Sequence, residues 1–186
     1  MTTRVAINGF GRIGRNVLRY IIESGRKDLE VVAINDLGSV DENAHLFRYD
    51  SIHGRFAGTV TTTKDSMDVG KGTMKVLAEK DPAKLPWKDL GVELVLECTG
   101  RFTKRDEAEA HIKAGAKRVL VSAPADGVDL TVERGATLGL VQFALDRSER
   151  QSGARFEQRR RKTCVEPQGV HHELEGDLPR WHVVLG

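Results

Sequence analysis

The sequence predicts an α/β fold: a Rossmann-type doubly wound, mostly parallel sheet, incomplete at its C-terminal end and followed by an irregular tail. Three observations predict it. Apolar runs alternate with segments of helical spacing through the first 133 residues, the connections between them are short, and a glycine-rich turn joins the first run to the first helix. Strands and helices in alternation, joined by right-handed crossovers, lay the strands parallel and put helices on both faces.

The elements follow in order. Residues 4–8 form a short strand, and residues 11–24 carry Ile13, Val17, Leu18, Ile21 and Ile22 at helical spacing, with Gly25 as the stop. Residues 30–35 (E-V-V-A-I-N) are almost continuously apolar, as a parallel strand covered on both faces must be. A short helix is expected over 41–47. Period-two segments at 58–62, 66–69 and 73–77, broken by glycines, read as small antiparallel strands. Residues 92–97 form another buried strand, and 104–114 a helix opened by Thr103, with Glu107 three residues after Lys104. A last apolar strand covers 117–122. With no later strand to pair, it is expected to leave an open, aggregation-prone edge.

A chain of 186 residues suffices for one domain, or one domain and a tail. With 39% hydrophobic and 30% charged residues, a wholly disordered chain is excluded, and 19 glycines without a triplet period exclude collagen. A net charge of +2 does not mark a nucleic-acid or membrane binder. No apolar run approaches the roughly 20 residues of a membrane span. Two cysteines cannot build a disulfide framework. The first residues run straight into a strand rather than a signal peptide, so the cytoplasm is the expected compartment.

Residue usage changes abruptly near position 133. Residues 1–133 hold 20 basic and 20 acidic side chains, whereas residues 134–186 hold 9 and 7, with eight arginines to one lysine. All four glutamines fall in the second stretch, and it has neither isoleucine nor asparagine. Two units are therefore expected: a dinucleotide-binding domain over 1–133, and a divergent tail over 134–186 that lacks fixed structure from Gln151 on, after a weakly amphipathic stretch at 138–162.

The sharpest functional signal is Asn8-Gly9-Phe10-Gly11-Arg12-Ile13-Gly14, a G-x-G-x-x-G turn between strand and helix. Gly9 permits the tight turn, Gly11 lets a pyrophosphate approach the backbone, and Gly14 lets the helix lie close to the sheet. Amides at the helix start then face the phosphates. Asp36 ends the next strand, 22 residues after Gly14. A carboxylate there accepts both adenosine ribose hydroxyls and repels a 2′-phosphate by about 4 kcal/mol at 4 Å and an effective dielectric near 20. NAD is expected over NADP.

These residues resemble the start of phosphorylating glyceraldehyde-3-phosphate dehydrogenase. The likeness runs through R-V-A-I-N-G-F-G-R-I-G-R-N at 4–16, A-I-N-D at 33–36, Y-D-S-I-H-G-R-F at 49–56 and L-E-C-T-G-R-F at 96–102. It continues in A-G-A-K-R-V-L-V-S-A-P at 114–124 and D-G-V-D-L-T-V at 126–132. It implies that Arg12 and Ile13 meet the pyrophosphate and that Asp36 holds the ribose. It further implies that Lys80 lies near the adenine, that Thr99 and Gly100 line the cleft, and that Ser122 sits toward the nicotinamide. It also implies a place in glycolysis; full-length dehydrogenase subunits are a candidate partner.

The family's nucleophile segment, Ser-Cys-Thr-Thr-Asn-Cys, does not occur in these 186 residues, and after Val132 the likeness stops. A catalytically silent NAD-binding chain is therefore expected, with a non-catalytic nucleotide-binding or subunit-interaction module as the alternative. The coincident break in likeness and residue usage reads as a frameshift or rearrangement in a dehydrogenase gene. Cys98 reads as a small buried thiol, and Cys164 lacks a companion base. His171, His172 and His182 read as solvated residues rather than metal ligands, His53 as framework beside Arg55, and His45 and His111 as surface or packing residues on helices. The basic run Arg159–Lys162 has acids nearby and no interleaved aromatics, so nucleic acid is not expected as a partner.

Overall fold

The computed structural model describes residues 2–132 and 181–185. The chain runs β1 (Thr3–Asn8), α1 (Arg12–Glu23), β2 (Leu29–Asn35), α2 (Val40–Arg48), β3 (Tyr49–Asp50), β4 (Gly54–Arg55), β5 (Thr61–Thr62), β6 (Ser66–Asp68) and β7 (Thr73–Leu77). A 3-10 turn (Pro82–Lys84), β8 (Leu94–Glu97), α3 (Arg105–Lys113), β9 (Arg118–Val121), β10 (Leu130–Val132) and β11 (Trp181–Leu185) follow. Nine strands form one sheet in the order β10-β11-β9-β8-β1-β2-β7-β6-β5. The central five, β9-β8-β1-β2-β7, are mutually parallel. This is the doubly wound sheet that the alternation of elements predicts.

Period-two alternation distributes the strand side chains over two cores. Val5, Ile7, Leu94, Leu96, Leu120 and Val183 face one side, with Leu18 and Ile21 of α1 and Ala44 and Phe47 of α2. Ala6, Val95, Val119, Val121 and Val184 face the other, with Ala108 of α3 and the buried Trp87. β2 departs from strict alternation. Val5 pairs with Val31 and Ala6 with Ala33, so Val32 is an extra residue, and Val32 and Ala33 both join the second core. A bulge of this kind is invisible in a run that is apolar throughout.

Four local features depart from the sequence reading. β7 pairs antiparallel with β6 but parallel with β2, so it belongs to the main sheet. The hairpin β3–β4 has only two residues per strand, too short for a periodic signal; Asp50 Oδ1 closes it by accepting from the amides of Ile52 (2.9 Å) and His53 (2.7 Å). Those bonds hold the Asp50 carboxyl down at about 2. Ile13, assigned to the apolar stripe of α1, is 45% exposed. Thr103 precedes α3 rather than capping it; the Lys104 amide donates to Glu107 Oε2 at 3.2 Å.

The edge of β9 is also closed. β11 pairs antiparallel with β9 from Arg118 to Val121 and, on its other side, with β10. Val183 and Val184 enter the two cores at 3% and 0% exposure. The weakly amphipathic stretch, Cys164, His171, His172 and the basic run Arg159–Lys162 lie outside the described residues. Among the described residues, no helix is long and apolar enough to cross a membrane.

Candidate functional site

Strand order reverses at β1, with β2 on one side and β8 on the other. In an open parallel sheet this reversal makes a crevice at the carboxyl ends of the strands, because the following connections diverge to opposite faces. A cleft of about 330 Å³ lies there, lined by Asn8, Gly9, Gly11, Asn35, Asp36, Leu37, Glu79, Lys80, Cys98, Thr99, Arg101 and Phe102. Of the residues singled out in the sequence, it brings together Gly9, Gly11, Asp36, Lys80 and Thr99. Arg12 and Ile13 are exposed in the first turn of α1, and Gly100 is exposed beside Thr99. Gly14 is buried behind the loop. Ser122 follows β9, where its amide donates to the Glu97 carbonyl at 2.9 Å.

The three glycines of the turn are there for different reasons. Gly9 has φ +90°, and a Cβ on it would lie 2.6 Å from the Thr99 nitrogen, so both backbone conformation and the close pass against β8 exclude a side chain. A Cβ on Gly14 would lie 2.1 Å from the Gly9 carbonyl oxygen. Gly11 has φ −69°, open to any residue, and a Cβ on it would meet nothing within 4 Å. Packing therefore requires glycine at 9 and 14, whereas at 11, the N-cap of α1, it imposes no steric requirement.

Among the described residues, the start of α1 differs from those of the other two helices. α2 begins with a Ser39–Glu42 capping box and acids at 41 and 42, and α3 has Asp106 and Glu107 in its first turn. The first turn of α1 holds no acid, and no side chain caps it. Its partial positive charge, roughly half an elementary charge in a full helix, has no acidic side chain in the first turn to balance it.

Asp36 does more than the sequence reveals. Its Oδ2 accepts from the Phe10 amide at 2.7 Å and its Oδ1 from the Gly38 amide at 3.0 Å, which fastens the glycine turn to the end of β2. Each carboxylate oxygen has a second acceptor site, so capacity remains for a diol. Cys98 is 8% exposed, and burial pushes its thiol up to about 12. It is an unreactive packing group, as its place in an apolar strand suggests.

Sequence reasoning missed the polar floor. Asn8, Asn35 and Glu97, the last residues of β1, β2 and β8, are buried side by side. Asn8 donates to Glu97 Oε2 at 2.5 Å and accepts from Asn35 Nδ2 at 2.7 Å; Asn35 exchanges bonds with the Glu79 backbone at 2.8 and 2.9 Å. A signal existed in the sequence: each apolar run ends on a polar residue that the expected burial would leave needing a partner. A larger groove of about 540 Å³, between α1 and β7, contains none of the candidate cofactor-binding residues.

Residues 3–105 match the family model described as the NAD-binding domain of glyceraldehyde 3-phosphate dehydrogenase. The chain belongs to that family. Glyceraldehyde-3-phosphate dehydrogenase of Xanthobacter flavus is 70% identical over 135 residues, 73% of this chain and 40% of that protein. The Cereibacter sphaeroides enzyme of the same name is 64% identical over 135 residues, again 73% of this chain and 40% of its own length. The Thermotoga maritima enzyme is 57% identical over 132 residues, 71% of this chain and 40% of its own. The chain thus spans about two fifths of these glyceraldehyde-3-phosphate dehydrogenases. Its NAD-binding domain is the part they share, and NAD is the cofactor of this family's domain.

Proposed function

We propose that this chain holds NAD in the cleft at the ends of β1, β2 and β8. In this reading the amides following Gly11, with Arg12 and Ile13, take the pyrophosphate; Asp36 takes the adenosine ribose and Lys80 the adenine side. Thr99 and Gly100 form the opposite wall, and Ser122 lies toward the nicotinamide end. Gly11 carries the argument. It is a glycine in a conformation open to any side chain, next to free space, at an uncapped helix start. A diphosphate pressed against the backbone supplies the missing reason for it. The residues present fit the dinucleotide, whose nicotinamide ring accepts hydride when bound.

Residues 1–133 make up the binding domain in this reading, and 134–186 are a separate addition from which β11 returns to the sheet. The parent activity would be phosphorylating oxidation of an aldehyde in glycolysis, in the cytoplasm. The 186 residues contain no Ser-Cys-Thr-Thr-Asn-Cys segment, so the chain binds the dinucleotide without turning over the aldehyde. Association with full-length dehydrogenase subunits is a second role, favoured by Leu46, Tyr49 and Ile52, three large apolar side chains within seven residues, each 45% exposed or more.

Calorimetric titration with NAD and NADP tests the binding reading. Gly11→Ala, a change at the N-cap of α1, should cost no more than about 1 kcal/mol in urea unfolding and weaken NAD at least tenfold. Asp36→Asn keeps an acceptor for the Phe10 amide but removes the charge; loss of one or two charge-assisted bonds of about 1.5–3 kcal/mol each should weaken NAD and narrow its advantage over NADP. Wild-type chain that takes up no NAD, or Gly11→Ala binding like wild type, defeats the assignment.

A further inference from the structure

Glu97 is fully buried at the end of β8, and four donors converge on its carboxylate. The Thr99 amide donates to Oε1 at 2.8 Å, and the Thr99 hydroxyl reaches the same oxygen. Asn8 Nδ2 donates to Oε2 at 2.5 Å, and His111 Nε2 lies 3.1 Å from it. The tautomer of His111 is fixed by its other neighbour. The Trp87 indole N–H, a donor only, points at His111 Nδ1 at 2.9 Å, so Nδ1 accepts and the proton sits on Nε2, facing Glu97. His111 and Trp87 are both 0% exposed. A continuous relay therefore runs from Trp87 through His111 and Glu97 to Thr99 at one wall of the cleft. Through Asn8 and Asn35 it continues to the Glu79 backbone, next to Lys80, at the other wall.

A sheet of this kind needs no buried carboxylate for stability; an apolar residue of similar size would serve as well or better. What the carboxylate adds is direction. It fixes the Thr99 amide and hydroxyl together, and the hydroxyl in turn accepts from the Arg101 amide at 3.1 Å, so the turn at 99–101 is set by one side chain beneath it. The Gly9 turn passes directly over that backbone, within Cβ distance of the Thr99 nitrogen. The position of Thr99 therefore also sets the height of the phosphate turn.

We propose that Glu97 is a positioning residue for the dinucleotide: without touching the ligand, it holds Thr99 and, through Asn8 and Asn35, keeps the two walls of the cleft in register. The inference rests on the NAD reading above, and it is tested by one measurement with NAD and one without. Glu97→Gln replaces one acceptor oxygen by an amide donor, which faces existing donors whichever way it turns. In the free chain, hydrogen exchange at the Thr99 amide should quicken at least tenfold in this variant, while the Ile7 amide in the sheet centre stays within threefold of wild type. NAD affinity should fall about tenfold. Thr99→Val should weaken NAD like Glu97→Gln, whereas Thr99→Ser, which keeps the hydroxyl, should bind NAD at least fivefold tighter than Thr99→Val. The double variant Glu97→Gln/Thr99→Val should be no weaker than either single one. Should Glu97→Gln fail to fold, Thr99→Val against Thr99→Ser decides alone. Unchanged Thr99 exchange in Glu97→Gln, equal quickening at Ile7, or additive losses in the double variant overturn the proposal. If wild-type chain takes up no NAD, the functional reading fails while the exchange comparison still decides the role of Glu97.

Discussion

The two ends of this sheet are built on different terms. At the β1–α1–β2 end, the turn is shaped by close steric and polar contacts: Gly9 passes against the Thr99 backbone, and the Phe10 amide meets Asp36 26 residues away. At the other end, β9 pairs with a strand that begins at Trp181, and β10 pairs with the same strand across residues 133–180. The first end is specified by local stereochemistry, where one atom too many is fatal. The second is specified by burial and backbone pairing, which many sequences can supply. The difference teaches where a family signature must persist and where a segment outside the matched residues can hold a structural position.

The largest effect should come from challenging the second end. Val184 is 0% exposed between β9 and β10, and Val184→Asp places an unpaired charge in the core. A loss of at least about 3 kcal/mol is expected in urea unfolding followed by circular dichroism. A loss under about 0.5 kcal/mol would reduce β11 to an ornament and break the comparison.

A middling effect should come from the first end. Gly14→Ala drives a methyl to 2.1 Å from the Gly9 carbonyl, and overpacking of this kind costs about 1–3 kcal/mol. NAD affinity should drop with it, since the turn must lift to make room. Its contrast with Gly11→Ala, in which stability falls less and affinity more, sharpens the claim that the turn glycines divide between fold and ligand. Equal behaviour of the two variants would erase that division.

The smallest effect is electrostatic and lies on the β9 side. Lys117 Nζ donates to Glu93 Oε1 at 2.6 Å and holds the Glu93 carboxyl below its ordinary 4.5. A depressed carboxyl stabilises the fold at pH above 4.5, and that contribution fades as pH falls through the lowered value. Because the two side chains are 65% and 36% exposed, solvent screening limits the pair to about 0.5 kcal/mol. Lys117→Met should therefore lower stability slightly at pH 7 and leave it unchanged near pH 2, as read from urea midpoints. A difference that persists in acid would mean that Lys117 contributes through packing instead.

Legibility in the sequence follows the same divide. The G-x-G-x-x-G turn, Asp36, the parallel strands and α1 were all readable, because periodicity and glycine spacing are local codes. The second role of Asp36 was not, since a carboxylate that ends a strand looks the same whether it holds a ribose or the Phe10 amide. Nor was the relay through Asn8, Glu97, His111 and Trp87; it joins residues up to 103 positions apart, and His111 by itself looks like any histidine on a helix. The bulge at Val32 was hidden because its neighbours are all apolar. β11 was hidden for the opposite reason: a five-residue apolar run announces burial but not its partner, and the change of composition at 133 suggested that nothing beyond it would rejoin the sheet.

The placement of β11 between β9 and β10 has a consequence for how this protein tolerates change. Two hydrogen-bonded neighbours, Val132 and Trp181, bracket the whole of residues 133–180, so that stretch enters and leaves the sheet at nearly one point. Closure entropy rises only logarithmically with contour length, about 0.6 kcal/mol for each doubling. The pairing of Val132 with Trp181 therefore makes the cost of closing the sheet almost insensitive to the length of chain between them: halving or doubling that length changes it by only about 0.6 kcal/mol.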